Sequence, residues 1–533
     1  MMRKTKNILI GALLLLLAFF MVQPACAQLR FNFGKGSPLR KLQMAELAIS
    51  NLYVDTVNEN KLVEDGIRGM LEKLDPHSSY SPASEAKSLE EGLNGGFDGI
   101  GVQFNMLQDT LVVIQTVVKG PSEKVGILPG DRIVAVNDTA IAGVKMDKAE
   151  IMRRLRGRRG TVAHLKIIRR GVSHPLTFNV VRDKIPLKTL DAAYMIRPGV
   201  GYIRLSSFGM KSDEEVAVAL DSLKKQGMKD LIFDLQDNGG GYLQAAVAIA
   251  QEFLQPGDLI VYTQGRVSPR QDFNSGQRGR FRDGRLVVLI NEFSASAAEI
   301  VTGSVQDQDR GTVVGRRSFG KGLVQRPIPF EDGSMMRLTV AHYYTPSGRC
   351  IQKPYKKGDL KDYEMDFDNR YKHGELTNVD SIHLDKSHTY YTLRKHRPVY
   401  GGGGIMPDVF VPLDTLQYTA YHRKLMMSNV VMDNYLRYVD NSRKALKKHY
   451  KTFEAFNSDY TVPDDLIAKI REDGKKQKIE PKDDAELQRT LPYLKLQLKA
   501  LVARDLWDMN EYFKIMNESN AIVQKGIQVI EGK

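Results

Sequence analysis

The sequence predicts an α/β core that is interrupted by a smaller, mainly β module and has helical segments at both ends. Three observations support this fold class. Between residues 184 and 413, short apolar runs typical of strands alternate with helical stretches. Residues 90–183 combine glycine turns with short strands. Residues 28–89 and 414–533 carry apolar side chains at helical spacing. With 533 residues, the chain can hold several domains of ordinary size.

The first 27 residues have the pattern of a secretory signal peptide. Basic residues precede an apolar stretch from Ile8 to Val22, and the small-x-small site Ala25-Cys26-Ala27 follows. We expect cleavage after Ala27 and export to the periplasm or the cell envelope. A lipid-modified Cys26 is the alternative, although the residue three positions before it is not aliphatic. An uncleaved anchor is disfavoured because the apolar stretch is shorter than about 20 residues.

Composition limits the function classes that remain. Removal of the leader would leave Cys350 as the sole cysteine, so we expect no intrachain disulfide. The formal net charge is +14, yet the basic runs Arg153–Arg159 and Arg443–Lys448 are expected to be solvated faces, because an exported protein rarely meets nucleic acid. No internal repeat, zinc-ligand spacing or nucleotide fingerprint occurs, so we expect no metal and no cofactor.

The amino-terminal segment, residues 28–89, is predicted to be helical. It closes on the string Asp75-Pro76-His77-Ser78-Ser79-Tyr80. We interpret His77 as a local hydrogen-bonding residue.

The second segment, residues 90–183, is predicted to be a PDZ domain. Gly99-Ile100-Gly101-Val102 resembles the loop whose backbone amides capture the terminal carboxylate of a peptide, and it opens the strand beside which the peptide would add. The string from Gly126 to Ile133 matches the turn and strand that follow in such domains. A helix at about 145–156 would form the other wall of the groove. Gly99, Ile100, Gly101 and Val102 are therefore predicted to bind substrate, and a resting position of the domain over the active site is the alternative.

The third segment, residues 184–413, contains strands that lead into functional turns. The predicted strands are Gly201–Leu205, Leu231–Leu235, Leu286–Ile290 and Thr312–Gly315. The second of them runs into the turn Gln236–Leu243, whose glycines open a helix and so present unpaired amides. Such a turn suits an oxyanion or a phosphate, but no Gly-Lys-Ser/Thr follows, which disfavours a P-loop. The polar stretch 353–397 is predicted to be a surface insertion or loop.

Ser296 and Lys321 form the most informative pair in the chain. Ser296 lies among small residues, Ala295, Ala297 and Ala298, which would let a substrate carbonyl approach its hydroxyl. Lys321 lies in the run Phe319–Gln325 between two glycines. A serine hydroxyl needs a nearby base to become a nucleophile, and a buried, uncharged lysine can be that base. The alternative for Ser296 is an ordinary tight helix start, capped by a serine near Ser294, and the alternative for Lys321 is a solvated turn.

These two segments together resemble the signature of the carboxyl-terminal processing peptidases, also called tail-specific proteases. The resemblance implies that Ser296 is the nucleophile, Lys321 the general base and Gln325 the residue that orients the lysine. It also implies one oxyanion amide from Gly241, with Gly240 close behind it, and a second from Ala297.

In the same family an aspartate that corresponds to Asp307, next to Gln306, is often counted with the catalytic residues. A helix-end carboxylate paired with Arg310, three residues away, is the alternative interpretation.

The fourth segment, residues 414–533, lies outside the part of the chain covered by the resemblance. Its leucines recur at helical spacing towards Trp507, the only tryptophan. These leucines are Leu487, Leu491, Leu494, Leu498 and Leu501. We interpret the stripe as facing the core, with a surface for a homo-oligomer or a regulatory partner as the alternative.

The function predicted from the sequence is that of an exported serine endopeptidase. It would act on polypeptides with free, exposed C-terminal tails. A non-catalytic PDZ adaptor on a degenerate protease core is the alternative, because this chain has Gln236 where the family has arginine. Intact Ser296, Lys321 and Gln325 disfavour the adaptor.

Overall fold

The structure, a computed structural model, describes residues 37–277, 279–383 and 386–532. These fall into one unit up to residue 70 and another from residue 71 onward. The first unit holds helix α1 (Pro38–Leu52), which begins at a proline, and most of helix α2 (Glu59–Leu71). The predicted leader, residues 1–27, lies outside the described residues. Within them, no helix combines the length and the apolar character needed to cross a membrane.

Residues 90–186 form the predicted PDZ domain, entered through β1 (Ser79–Ser81) and α3 (Ala83–Leu93). Its elements are β2 (Gly96–Gly99), β3 (Val102–Met106), β4 (Leu111–Thr116), α4 (Pro121–Lys124), β5 (Arg132–Val136), β6 (Thr139–Ala140), α5 (Lys148–Leu155), β7 (Val162–Ile168), β8 (Leu176–Val181) and β9 (Asp183–Pro186). The main sheet has the order β3-β4-β5-β7-β8, so β3 is an edge strand, as a peptide groove requires. Strands β2 and β9 pair antiparallel, so the chain enters and leaves the domain side by side.

The peptidase core is built on a six-stranded sheet with the order β10-β11-β12-β15-β16-β21. Its strands are β10 (Leu190–Arg197), β11 (Val200–Leu205), β12 (Asp230–Asp234), β15 (Leu286–Ile290), β16 (Thr312–Gly315) and β21 (Val409–Phe410). All neighbours are parallel except β10 and β11. Both faces are covered, which explains why these strands have continuous apolar sequences. The predicted α/β core and its strands are confirmed.

Two layers of helices cover this sheet. On one face pack α6 (Ser212–Lys225), α7 (Leu243–Ala250) and α8 (Ala297–Asp307). The other face is covered by helices from the carboxyl-terminal segment, α16 (Met509–Met516) and α17 (Ala521–Glu531), with Ile522, Val523 and Ile527 against Val287 and Leu289. The last helices of the chain therefore complete the core, whereas the sequence had placed residues 414–533 outside it.

A second sheet stands beside the first and carries the segment after Lys321. Its order is β1-β18-β13-β14, with β17 also paired to β18, and its remaining strands are β13 (Leu259–Gln264), β14 (Gln271–Asn274), β17 (Leu323–Pro329) and β18 (Met335–Tyr344). Because β1 pairs with β18, the string Asp75–Tyr80 is drawn to this sheet. That contact brings His77 close to the candidate site.

The polar stretch 353–397 is more ordered than its composition predicted. It contains α9 (Leu360–Glu364), α10 (Asp366–Lys372), β19 (Thr389–Tyr391) and two short 3-10 turns, and β19 pairs with β20 (Pro398–Tyr400). Tyr363, Arg370 and Leu376 are buried. Of the two predicted alternatives, a surface insertion or a loop, the loop was wrong, because a few buried anchors hold an otherwise charged segment on the core.

The carboxyl-terminal helices form their own apolar cluster. They are α11 (Ala420–Met427), α12 (Val430–His449), α13 (Phe453–Asp459), α14 (Asp464–Lys476) and α15 (Asp484–Leu506). The predicted leucine stripe lies on α15, and four of its five members are buried in the cluster, which confirms that it faces the core. Leu107, Val112 and Ile114 of the PDZ domain join the same cluster, and Arg132 pairs with Asp440 at 2.8 Å. The PDZ domain thus rests on these helices.

Candidate active site

Ser296 lies at a strained turn between a strand and a helix. Strand β15 ends at Ile290, and α8 begins at Ala297, directly after Ser296. The backbone of Ser296 has φ 56° and ψ −113°, a region that residues other than glycine rarely occupy. Ser294 is fully buried, and its hydroxyl donates to the carbonyl of Leu235 at 2.7 Å. Ser294 therefore ties the turn to Leu235, directly after strand β12, and the N-cap position of α8 is occupied by Ser296, two residues on.

A buried carboxylate, that of Glu299, joins the Ser296 turn to the Lys321 turn. Its Oε2 accepts hydrogen bonds from the amides of Ser296, at 2.8 Å, and Lys321, at 2.9 Å. Its Oε1 accepts from the amide of Gly320 at 2.7 Å and from the hydroxyl of Ser318 at 2.5 Å. Glu299 is fully buried, and burial raises its pKa to about 7 although these four donors oppose the shift. One side chain thus fixes both predicted catalytic segments.

Tyr343 provides a second link between the same segments from strand β18. Its hydroxyl lies within hydrogen-bonding reach of the carbonyl of Ser296, at 3.1 Å, and of the carbonyl of Lys321. Among the described residues, no hydrogen bond joins Ser296 Oγ to Lys321 Nζ. The structure therefore brings the two turns together without a direct bond between the side chains. Such bonds often form only when substrate is bound.

The environment of Lys321 favours its neutral form. Burial lowers the pKa of Lys321, and the charge of Arg337 lowers it further, while Glu299 and Asp75 act in the opposite direction. His77 lies in the same region, and burial, with the charge of Lys321, lowers its pKa to about 4. Its Nε2 is 2.8 Å from the hydroxyl of Tyr363. His77 is thus a neutral, hydrogen-bonded neighbour of the site.

The glycine turn after β12 lies directly against Ser296. A Cβ atom on Gly240 would be 2.7 Å from Ser296 Cβ, and Gly240 has φ 97°, so only glycine fits. The amide of Gly240 donates to Asn238 Oδ1 at 2.9 Å. In the described chain, the amides of Gly241 and Ala297 donate to no protein group. Gly241 and Ala297 therefore remain available to an oxyanion, whereas Gly240 provides close approach.

Gln325, which the resemblance predicted to orient Lys321, has other partners. The side-chain amide of Gln325 donates to Thr339 Oγ1 at 3.3 Å, and that hydroxyl donates to Asp75 at 2.9 Å. Gln325 is therefore linked through Thr339 to Asp75 and makes no hydrogen bond to Lys321.

Asp307 lies at the opposite end of α8, about 15 Å along the helix from Ala297 at 1.5 Å per residue. Its carboxylate is paired with Arg349 at 2.7 Å, both side chains being fully buried, and it accepts from the amide of Ser347 at 2.9 Å. Arg310 instead donates to backbone carbonyls. Asp307 contacts none of the groups around Ser296, and the expected pairing with Arg310 was wrong.

The loop predicted to bind a peptide carboxylate contains a turn at Gly101 and lies just before strand β3. Gly101 has φ 74°, and the carbonyls of Ile100 and Gly101 accept from the amides of Ser122 and Val117. In the described part of the domain, the amides of Ile100 and Gly101 make no hydrogen bond. Gly99 ends β2, and Val102 begins β3. The four residues therefore present two free amides at the start of the edge strand.

Sequence reasoning missed Glu299 and Tyr343. A signal for Glu299 was present, since Ser296-x-x-Glu299 at a helix start is a capping box. The two bonds of the Tyr343 hydroxyl reach carbonyls 47 and 22 residues away, so no local spacing indicates them. In the described ranges, no three His, Cys, Asp or Glu side chains are grouped so that they could hold a metal ion.

The chain is similar to proteins of known families. A family model described as peptidase family S41 matches residues 199–363, and models of a PDZ domain, of the activating protease CtpB N-terminal domain and of a family of unknown function match residues 99–180, 26–84 and 421–508. The carboxy-terminal-processing protease of Bartonella bacilliformis is 38% identical over 305 residues, which cover 56% of this chain and 69% of that protein. The carboxy-terminal processing protease CtpA of Bacillus subtilis is 33% identical over 353 residues, covering 64% and 75%. A solved photosystem II D1 C-terminal processing protease is 26% identical and covers 72% of this chain and 88% of its own, with a TM-score of 0.36.

Replacing Glu299 by glutamine tests the link between the two turns. Glu299→Gln keeps the shape but turns an accepting oxygen into a donor, which leaves buried amides without a partner at a cost of about 1–3 kcal/mol each. We expect a clear loss of stability in chemical denaturation. Glu364→Gln, at an exposed carboxylate, is the control and should change stability by less than about 0.5 kcal/mol. Equal stability of the two variants would contradict the role given to Glu299.

The same pair of variants has a pH signature. Because the pKa of Glu299 is raised from 4.5 to about 7, the folded protein retains a proton that the unfolded chain has lost between these pH values. The free energy of unfolding of Glu364→Gln should therefore fall as pH rises through this window, relative to that of Glu299→Gln.

Proposed function

Because the chain belongs to the carboxy-terminal processing proteases, a family of serine peptidases, we propose that it cleaves polypeptides with Ser296 as nucleophile and Lys321 as general base. The observation that carries this proposal is the carboxylate of Glu299, which binds the amides of both residues. Tyr343 supports the same arrangement, since its hydroxyl reaches the carbonyls of both residues.

The proposed reaction proceeds through an acyl-enzyme. Lys321 Nζ, uncharged, takes the proton of Ser296 Oγ as the oxygen attacks the carbonyl carbon of the scissile bond. The amides of Gly241 and Ala297 donate to the oxyanion. Lys321 then gives its proton to the leaving nitrogen, and the peptide bond breaks. Water, deprotonated by the same lysine, attacks the ester and regenerates Ser296.

The lowered pKa of Lys321 supports its role as a base. An ordinary lysine, with a pKa near 10.4, would be almost fully protonated at neutral pH. Burial and the charge of Arg337 both move this pKa down. Asp307 has no part in the proposed mechanism. Gln325 acts on Lys321 only indirectly, through its hydrogen bond to Thr339, which in turn donates to Asp75.

We further propose that the enzyme is exported and acts near exposed C-terminal tails. Relatives named carboxy-terminal processing proteases and the leader pattern of residues 1–27 support this. The free amides of Ile100 and Gly101 beside edge strand β3 suit a terminal carboxylate, so we assign tail recognition to the PDZ domain.

The replacement of the family arginine by Gln236 does not support a non-catalytic adaptor. Gln236 donates to the buried carboxylate of Asp234, and Arg204 from the neighbouring strand pairs with the same carboxylate at 2.9 Å. A cation is therefore present beside Asp234, supplied from strand β11.

The dyad predicts a specific pattern of losses. Ser296→Ala and Lys321→Ala should each lower kcat by about 10⁴-fold or more, and the double variant should be no worse than either, because nucleophile and base act as a unit. Unchanged thermal melting curves would show that the fold is retained. Activity of Lys321→Ala equal to that of the unaltered protein would refute the dyad.

Charges around Lys321 predict opposite shifts of the pH profile. The acid limb of kcat/KM should follow the protonation of Lys321. Arg337→Gln removes a charge that lowers the pKa of Lys321, so the limb should move to higher pH, whereas Asp75→Asn should move it to lower pH. Arg326→Gln, at an exposed position on neighbouring strand β17, is the control and should leave the limb in place. Shifts in the same direction for both variants would contradict the assignment.

Tail recognition predicts sensitivity to the terminal charge of the substrate. Amidating the carboxyl terminus removes the charge and the best acceptor for the loop, so a free-acid peptide should bind or be cleaved better than its amide. Gly101→Ala should abolish the difference, because Gly101 has φ 74° and a Cβ there would lie 3.0 Å from Ile185. Gly143→Ala, with φ 72° and open space around it, is the matched control. If the unaltered enzyme treats acid and amide alike, this groove does not read the tail.

A further inference from the structure

A large cavity lies between the peptidase core and the carboxyl-terminal helices. Its volume is about 750 Å³. The loops that follow β12 and β15 form one wall, including Asp237 and Phe293, and the opposite wall comes from α10, the segment at 412–418 and helices α15 to α17. The proposed mechanism uses none of these side chains.

The cavity concentrates exposed aromatic side chains. Phe293, Phe367, Tyr371 and Tyr418 line it and are 47%, 37%, 42% and 37% exposed. Phe293 stacks on Phe367 with ring centroids 5.3 Å apart, and the hydroxyl of Tyr418 lies 3.0 Å from that of Tyr493. Aromatic side chains are normally well buried, and contiguous exposed apolar surface in a concave site is typical of a binding site.

Two arginines in the wall are already paired within the protein, whereas Asp368 and Arg423, which also line it, form no ion pair among the described residues. Arg316 is paired with Glu292 at 2.6 Å, and Arg204 with Asp237 at 3.0 Å. The aromatic rings therefore offer the principal free contact surface. An uncharged, apolar or aromatic group fits this lining better than an ion.

The cavity shares its loops with the candidate active site. Phe293 precedes Ser296 by three residues, and Asp237 precedes Gly241 by four, in the same two turns. Three residues span at most about 11 Å, at 3.3–3.6 Å per residue. An extended polypeptide with its scissile bond at Ser296 would reach the aromatic lining within about three to five residues.

We propose that this cavity is a specificity site for one large apolar or aromatic side chain of the polypeptide substrate, three to five residues from the scissile bond. The inference rests on the proposed peptidase function. It assigns to α10 and to the segment at 412–418 a direct part in substrate choice, since they supply Phe367 and Tyr418.

A positional peptide series tests this site. Each peptide has the same cleavable centre and a polar chain, with a single Phe moved from five residues before the scissile bond to five residues after it. The values of kcat/KM should peak at one position three to five residues from the bond, about 10- to 100-fold above a peptide with Ser there. Phe367→Ala and Tyr418→Ala should each reduce this ratio to near one. Tyr391→Ala, at a 55% exposed tyrosine that does not line the cavity, should keep it.

Binding separates failure of the site from failure of the peptidase proposal. The same labelled peptides are titrated against Ser296→Ala, with and without Phe367→Ala, by fluorescence anisotropy. The same position should bind most tightly, and only while Phe367 is present. A flat positional profile, or a profile unchanged in both cavity variants, overturns the inference. Thermal melting checks that each variant is folded. If one of the two cavity variants does not fold, the other one is sufficient for the test.

Discussion

The arrangement of the whole site depends on one buried carboxylate. Glu299 accepts hydrogen bonds from three backbone amides and one hydroxyl in two separate turns, so its loss would leave several buried donors unpaired. Burying a carboxylate is costly, and here its hydrogen bonds offset part of that cost, since the pKa of Glu299 is still raised to about 7. The strained backbone of Ser296 persists because the surrounding contacts fix it. Glu299 therefore fixes together the positions of Ser296, the proposed nucleophile, and Lys321, the proposed base.

The fold explains how these turns come to one place. Ser296 and Gly241 both follow parallel strands of the central sheet, so they emerge at the same edge. Lys321 precedes strand β17 of the second sheet, whose neighbour β18 supplies Tyr343. Helix α17, from the end of the chain, covers the open face of the central sheet, and the helices before it support the PDZ domain. The proposed catalytic, tail-binding and substrate-selecting surfaces thus share a single framework.

Much of this framework could be predicted from the sequence, because its signals are local. Strands buried on both faces read as continuous apolar runs, and Ser296, Lys321 and the glycine turn stand in short motifs. The role of Glu299 depends on contacts 19 to 22 residues away, so only its capping-box spacing was visible. The partner of Asp307, Arg349, is 42 residues away, so no local pattern indicates the pair. The nearer Arg310 suggested the wrong partner. Residues 353–397 misled for a related reason, since a few buried anchors such as Tyr363 are hidden among charged neighbours.

The central claim is that the hydrogen bonds to Glu299 position Ser296 as a nucleophile with Lys321 as its base. Trapping the acyl-enzyme tests this claim most directly. An activated peptide ester is mixed with the enzyme, the reaction is quenched during the first turnover, and the adduct is mapped by mass spectrometry. The account predicts one acyl group, on the peptide that contains Ser296, forming far more slowly when Lys321 is alanine or Glu299 is glutamine. An adduct on another residue, or one that forms on Ser296 at the same rate in all three proteins, would contradict it.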